Sequence, residues 1–315
     1  MSARRPVRRL RRRRRGVAAV SVLVVLGVTA GGLWWHQQGG TSPARERCAA
    51  TVDGVGRYLS PQQAENAALI AGATLRRGLP ARAATIGLAT ALQESKLINI
   101  AYGDRDSLGL FQQRPSQGWG TAEQVQDPLY ATDAFYDALV AVPGYLDLDV
   151  TVAAQAVQRS AFPDAYAQHE SSARAWASAL TGNTPAAVSC ELGPVVAPRP
   201  AGDVAAAFTA RAARDLGVTG VTVAPPDPDR PGALAVTVDP GGLAGGQRER
   251  AGWAVAQWAV ASAWASDADE IEVGDRVWTR AGAVRAARAG TGAWQAAAGD
   301  PLEPGTVRVL LTVAD

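Results

Sequence analysis

Hydrophobic and polar positions follow different rhythms along successive parts of this chain. Residues 16–35 carry no charged side chain, and 17–28 are apolar and rich in β-branched types. About 20 residues at a rise of about 1.5 Å each match one hydrocarbon thickness, so this stretch predicts a single N-terminal transmembrane helix. Trp34 and Trp35 stand where an outer aromatic belt would lie. The alternative is a cleaved signal peptide, because Val28-Thr29-Ala30 offers the small residues a peptidase selects. Residues 36–47 read as a polar stalk.

From 48 to 190 the period becomes helical. Ser60-Pro61-Gln62-Gln63 combines a serine cap, a first-turn proline and a capping-box glutamine, predicting a helix that runs to about residue 77 and stops at Gly78. Pro80 opens a second helix, with Ala84, Leu88, Ala91 and Leu92 on one face. Asp127-Pro128 starts a third, 149–159 forms a fourth, and Phe162-Pro163-Asp164 starts a fifth that ends near Leu180. The long Gly/Asp/Gln/Pro segment 98–126 between the second and third helices points to function, because compact domains seldom keep such irregular stretches otherwise. Residues 191–202 have linker composition. From 203 to 315 the rhythm changes again: a helix over 203–216, strands at 221–224 and 233–239, a tryptophan-bearing helix over 247–266, a hairpin turning at Gly274-Asp275, and a strand at 307–313. The expected architecture is a mainly α domain at 48–190, a small α+β domain at 203–315, and one membrane helix.

Charge refines this picture. The net charge of +2 hides an asymmetry, because residues 1–15 hold nine arginines and no acid. The remainder has 31 − 9 = 22 basic against 29 acidic residues, a net of −7, which gives no footprint for nucleic acid. A basic cytoplasmic tail (1–15) before an apolar span (16–35) predicts a single-pass protein with its N-terminus inside and its body outside, or a secreted body if the leader is cleaved. The two cysteines, Cys48 and Cys190, are expected to pair in that setting. Two histidines, His36 and His169, are too few for a zinc site with cysteines so placed, so no metal or cofactor is expected. His169 lies in a polar run and reads as a solvated residue. There is no G-x-S-x-G elbow. A carboxyl group is left as the plausible catalyst.

Glu94 ends the apolar second helix, with small residues Ala83, Gly87, Thr90 and Ala91 on its face. Another element can approach closely there and desolvate the carboxyl, raising its pKa toward the range of a general acid. Tyr102, Asp104, Asp106 and then Gly109-Leu110-Phe111-Gln112-Gln113 follow, offering a turn, an apolar plug and two carboxamides suited to sugar hydroxyls.

Glu94-Ser95 followed by Gly109-Leu110-Phe111-Gln112 on a helical domain resembles the soluble lytic transglycosylase and goose-type lysozyme-like family. The family's third motif, Ala-Tyr-Asn-Ala-Gly, is replaced by Ala156-Val157-Gln158-Arg159-Ser160. Gln158 stands in for the asparagine, and Tyr166 or Tyr102 is the candidate for the missing tyrosine. Residues 203–315 are similar to a module found behind such domains, with no activity implied. The resemblance implies that Glu94 protonates the glycosidic oxygen between N-acetylmuramic acid and N-acetylglucosamine. The resulting carboxylate then takes a proton from the muramic C6 hydroxyl, leaving a 1,6-anhydro product. A hydrolase would need a second carboxylate about 6.5–9.5 Å away if it inverts, and Asp104 and Asp106 are the candidates. The remaining alternative is a non-catalytic, membrane-anchored peptidoglycan-binding or scaffold protein. The expected partner is the glycan strand of peptidoglycan; no protein partner can be named.

Overall fold

A computed structural model describes residues 46–314, apart from 161, 226 and 229. The first element is a hairpin, β1 (Arg47–Val52) and β2 (Val55–Leu59). Asp53 and Gly54, at φ 52° and 74°, form its two-residue turn with both centres left-handed, which matches the twist of the flanking strands. On the other side of β1 lies β3 (Val188–Glu191), giving the sheet order β2-β1-β3. Cys48 faces Cys190 directly in that antiparallel register, and the two form a disulfide across 142 residues. In the chain-entropy account, closing a loop of that size stabilises the fold by about 4–5 kcal/mol.

Helices fill the space between these strands. In α1 (Pro61–Arg76) Ser60 and Gln63 form the reciprocal capping box. α2 (Ala81–Ser95) follows, then the short α3 (Ala122–Gln126). Asp127 caps α4 (Pro128–Val140) through the amides of Leu129 and Tyr130, and α5 (Val150–Gln158) and α6 (Glu170–Leu180) complete the group. α2 packs chiefly on α6. Their meeting faces are largely alanine, including the fully buried Ala83, Ala84, Ala91, Ala173 and Ala177, and such small side chains let helix backbones approach closely.

Residues 201–314 build the second sheet and its covering helices. α7 (Ala201–Leu216) precedes β4 (Gly220–Val223) and β5 (Ala233–Asp239). Next come α8 (Arg248–Ala261), the short α9 (Ala263–Ser266), β6 (Ala268–Val273), β7 (Arg276–Thr279), α10 (Arg280–Ala289), β8 (Gln295–Ala296) and β9 (Val307–Thr312). The sheet is antiparallel in the order β4-β5-β9-β6-β7-β8. Every residue of α8 from Ala251 onward is buried, because the helix meets α1, α6, β3 and β6 at once. Its one central polar side chain, Gln257, is fully satisfied. The amide nitrogen donates to the carbonyls of Ala179 (2.7 Å) and Thr184 (3.0 Å), and the oxygen accepts from the amides of Ala187 and Val188 (2.8 Å each). Residues 46–315 therefore form one compact unit.

Two expectations need correction. Among the described residues the architecture is not mainly α with a transmembrane helix but mixed α/β, with 46% helix, 17% strand and two antiparallel sheets. Local periodicity misses the β1–β3 pairing because it joins segments 142 residues apart. Second, the expected transmembrane helix has no counterpart among the described residues, where no helix is long and apolar enough to cross a membrane. The basic tail 1–15, the segment 16–35 and most of the stalk lie outside the described residues.

Candidate active site

Glu94 sits in the last turn of α2, and the way that helix ends shapes the site. Lys96 and Leu97 both take left-handed backbone conformations (φ 56° and 58°), an uncommon pair for residues with side chains. Two amides of α1 hold the carbonyls that this turn releases. Gln63 Nε2 donates to Lys96 O at 2.7 Å, and Asn66 Nδ2 donates to Leu97 O at 2.8 Å. Gln63 thus serves both its own helix cap and the end of α2. The Lys96 and Leu97 amides close back onto Leu92 O and Ala91 O, at 3.1 and 3.0 Å.

Ser95 locks this helix end to the glycine turn that follows. It is buried, and its hydroxyl lies 2.7 Å from Leu110 O and 3.1 Å from Ala91 O. Gly109 has φ 77°, and a Cβ there would come within 2.3 Å of Val125 O, so conformation and space both demand glycine. Leu110 and Phe111 are fully buried, and Phe111 stacks on Phe135 with ring centroids 4.6 Å apart. Gln158, at the end of α5, donates from Nε2 to Phe111 O at 2.7 Å. Three elements are thereby fastened around one turn.

The carboxyl itself meets Tyr166. The phenol hydroxyl donates to Glu94 Oε1 at 2.7 Å, from a side chain that is otherwise buried. Burial pushes the Glu94 carboxyl above its ordinary value, and the hydrogen bonds from Tyr166 and Gln158 pull it back part of the way. The Tyr166 hydroxyl is in turn held well above the usual phenol range by burial, then by the adjacent carboxylate. Both partners of Glu94 are neutral donors. A proton is therefore held more tightly than on a free glutamate, and among the described residues no cation pairs with the carboxylate.

The other predicted residues divide into several groups. Gln112, at φ 48°, turns its amide nitrogen onto Tyr102 O (3.3 Å) and Gly109 O (3.2 Å), bracing the turn. Gln113 is 2% exposed and donates to Ala131 O at 3.0 Å, so its carboxamide serves the fold. Tyr102 is 73% exposed on the loop, while Tyr166 alone reaches the acid. Asp106 accepts from Arg114 Nε (2.8 Å), Ser116 N (2.8 Å) and Ser116 Oγ (3.0 Å), and these partners, Arg114 first, hold it well below the usual carboxylate range. It acts as a loop staple. The Asp104 side chain is 92% exposed beside Arg105.

His169, expected to be a solvated residue, is half-buried instead. Its Nε2 lies 3.0 Å from Gln93 Oε1, which also accepts from Gln168 Nε2 at 3.2 Å. Burial lowers its pKa, which favours the neutral ring. Sequence reasoning missed this Gln93 cluster and the Gln63 and Asn66 supports. The spacing of Gln63 and Asn66, three apart on one helix face, was the available signal. Among the described residues, no group of three or more histidine, cysteine, aspartate or glutamate side chains is placed to hold a metal ion.

No protein-family model and no curated protein matches this chain.

Proposed function

We propose that the protein cleaves the glycan strands of peptidoglycan, with Glu94 as general acid and then general base. The observation that carries this reading is a desolvated carboxyl, raised in pKa, held at 2.7 Å by the Tyr166 hydroxyl and braced by Gln158. A general acid must be protonated when substrate arrives, and neutral donors around a buried carboxyl favour that state. Gln158 takes the asparagine's place in the altered motif at 156–160, and Tyr166 offers the hydroxyl that Val157 lacks. The lytic transglycosylase route is favoured over the hydrolytic one. It needs a single carboxyl, whereas Asp106 is committed to Arg114 and Ser116 and Asp104 stands in solvent.

The test is incubation of the protein with purified sacculi and mass spectrometry of the soluble products. Anhydro-muropeptides are expected, and Glu94→Gln should reduce their release by about a thousandfold. Reducing ends in their place would establish hydrolysis. Binding to sacculi with no glycan cleavage would establish the scaffold reading.

A further inference from the structure

A second site lies between the β1–β2 hairpin and α6. The hairpin face that carries Cys48, Ala50 and Leu59 into the core continues toward the turn as Val52, Val55 and Arg57, by the pairings Ala50↔Arg57 and Val52↔Val55. There the sheet stands off the helix and leaves a groove of about 620 Å³, in the range of small-ligand sites. Its hairpin wall is apolar and open, with Val55 51% exposed on what is elsewhere a core-facing surface. α6 supplies Ser171, Arg174 and Ala175 to the opposite wall.

The charges of the groove are unequal in their partners. Arg174 is paired with Glu170 one turn away, and Arg82 also approaches Glu170 at 3.9 Å. Arg57 donates to Ser171 Oγ at 2.6 Å, and among the described residues no carboxylate lies within ion-pair distance of it. An arginine beside the apolar Val52 and Val55, oriented by a hydroxyl and without a carboxylate partner of its own, is arranged to receive one. Asp53, at the turn end, opposes a second negative charge.

We infer that this groove binds a short peptide through its free carboxylate at Arg57, with small apolar side chains against Val52, Val55 and Ala175. Ala167, which also lines the groove, follows Tyr166 directly in the chain, and the next two residues are bonded to Gln93 beside Glu94. One short segment, 166–169, therefore contributes both to the groove and to the surroundings of Glu94, which suits a peptide attached to a bound glycan. That identity for the peptide rests on the glycan-cleaving reading; the carboxylate preference does not.

The experiment titrates the full chain with N-acetyl-alanyl-alanine and with its C-terminal amide, following backbone amide shifts by NMR. The free acid should shift residues 52–57 and 171–178 and bind about tenfold more tightly than the amide, the worth of one charge-assisted hydrogen bond. Arg57→Gln should bring the acid to the level of the amide, while Ser171→Ala, which keeps the charge, should retain a preference for the acid. Glu94→Gln should bind the acid as wild type does. Equal binding of acid and amide, or shifts confined to other surfaces, would overturn the proposal. If sacculi are not cleaved but the acid preference persists, the glycan reading falls and the groove stands.

Discussion

Asp215 and Glu272 in the C-terminal part, and Glu94 in the helical part, are all withdrawn from water but meet different neighbours. Asp215 accepts from Arg214 Nε at 2.6 Å and from the buried indole of Trp258 at 3.0 Å, and Glu272 is bonded to Arg308. Glu94 meets a phenol and a carboxamide. An arginine partner satisfies a buried carboxylate with a charge-assisted hydrogen bond, which suits a structural role. Neutral donors leave the proton's affinity adjustable by burial, which suits proton transfer. The same residue chemistry is thus spent on architecture in one region and kept available in the other. Arg280, 4% exposed, follows the structural pattern, giving its donors to the carbonyls of Gly193, Ala263 and Ala268.

The comparison breaks most readily at Asp215. Asp215→Ala leaves the Trp258 N–H buried without its acceptor and should cost about 1–3 kcal/mol of stability, read from urea denaturation. Glu94→Gln should cost far less, because a carboxamide oxygen still accepts from Tyr166. If the two variants unfold at the same urea concentration, the division into structural and proton-carrying carboxyls is wrong.

Tyr166→Phe sharpens the comparison from the other side. The phenol stabilises the carboxylate, so its loss should raise the Glu94 pKa further, and the alkaline limb of any pH–rate profile should move up with it. The readout independent of activity is carbon-13 NMR titration of the glutamate carboxyls. A Glu94 resonance that titrates at lower pH in Tyr166→Phe would show that the phenol does not act as described.

The parts of this arrangement legible in the sequence were those written locally. The Ser60-Gln63 box, the Asp127-Pro128 start and the alternation over β5 each carry their own signal within a few residues. Glu94, Ser95 and Gly109 could be singled out because a short spacing joins them. The pairing of β1 with β3 could not be read this way, and only Cys48 and Cys190 announced it; the β1–β2 hairpin did carry a local signal, the Asp53-Gly54 turn, which the helical reading of 48–190 passed over. The separate roles of Gln112 and Gln113 were equally hidden. Both are glutamines in one turn, and only the left-handed backbone at Gln112 sends the next side chain inward to Ala131. Tyr166 could be named as a substitute for the missing tyrosine but not chosen over Tyr102, because the choice depends on how Tyr166 is brought back to α2.

The smallest expected effect is also the most direct test of sign. Glu94 is raised above its ordinary value of 4.5, so the folded state holds that proton more tightly than the unfolded chain. The stabilisation is complete below 4.5 and is lost as pH rises through the folded-state value. Asp106 is displaced the other way. Its stabilisation is present above its ordinary 3.8 and is lost as pH falls through the lowered value. Glu94→Gln should therefore gain on wild type in Tm as pH rises from 4 to 8, while Asp106→Asn should be less stable than wild type at neutral pH and approach it in acid. Thermal scans of Glu94→Gln over pH 4 to 8, and of Asp106→Asn from neutral pH down past 3.8 where its contribution is lost, check the opposite slopes. Two differences that run in parallel with pH would mean that Glu94 is not desolvated, and the case for it as the general acid would go with them.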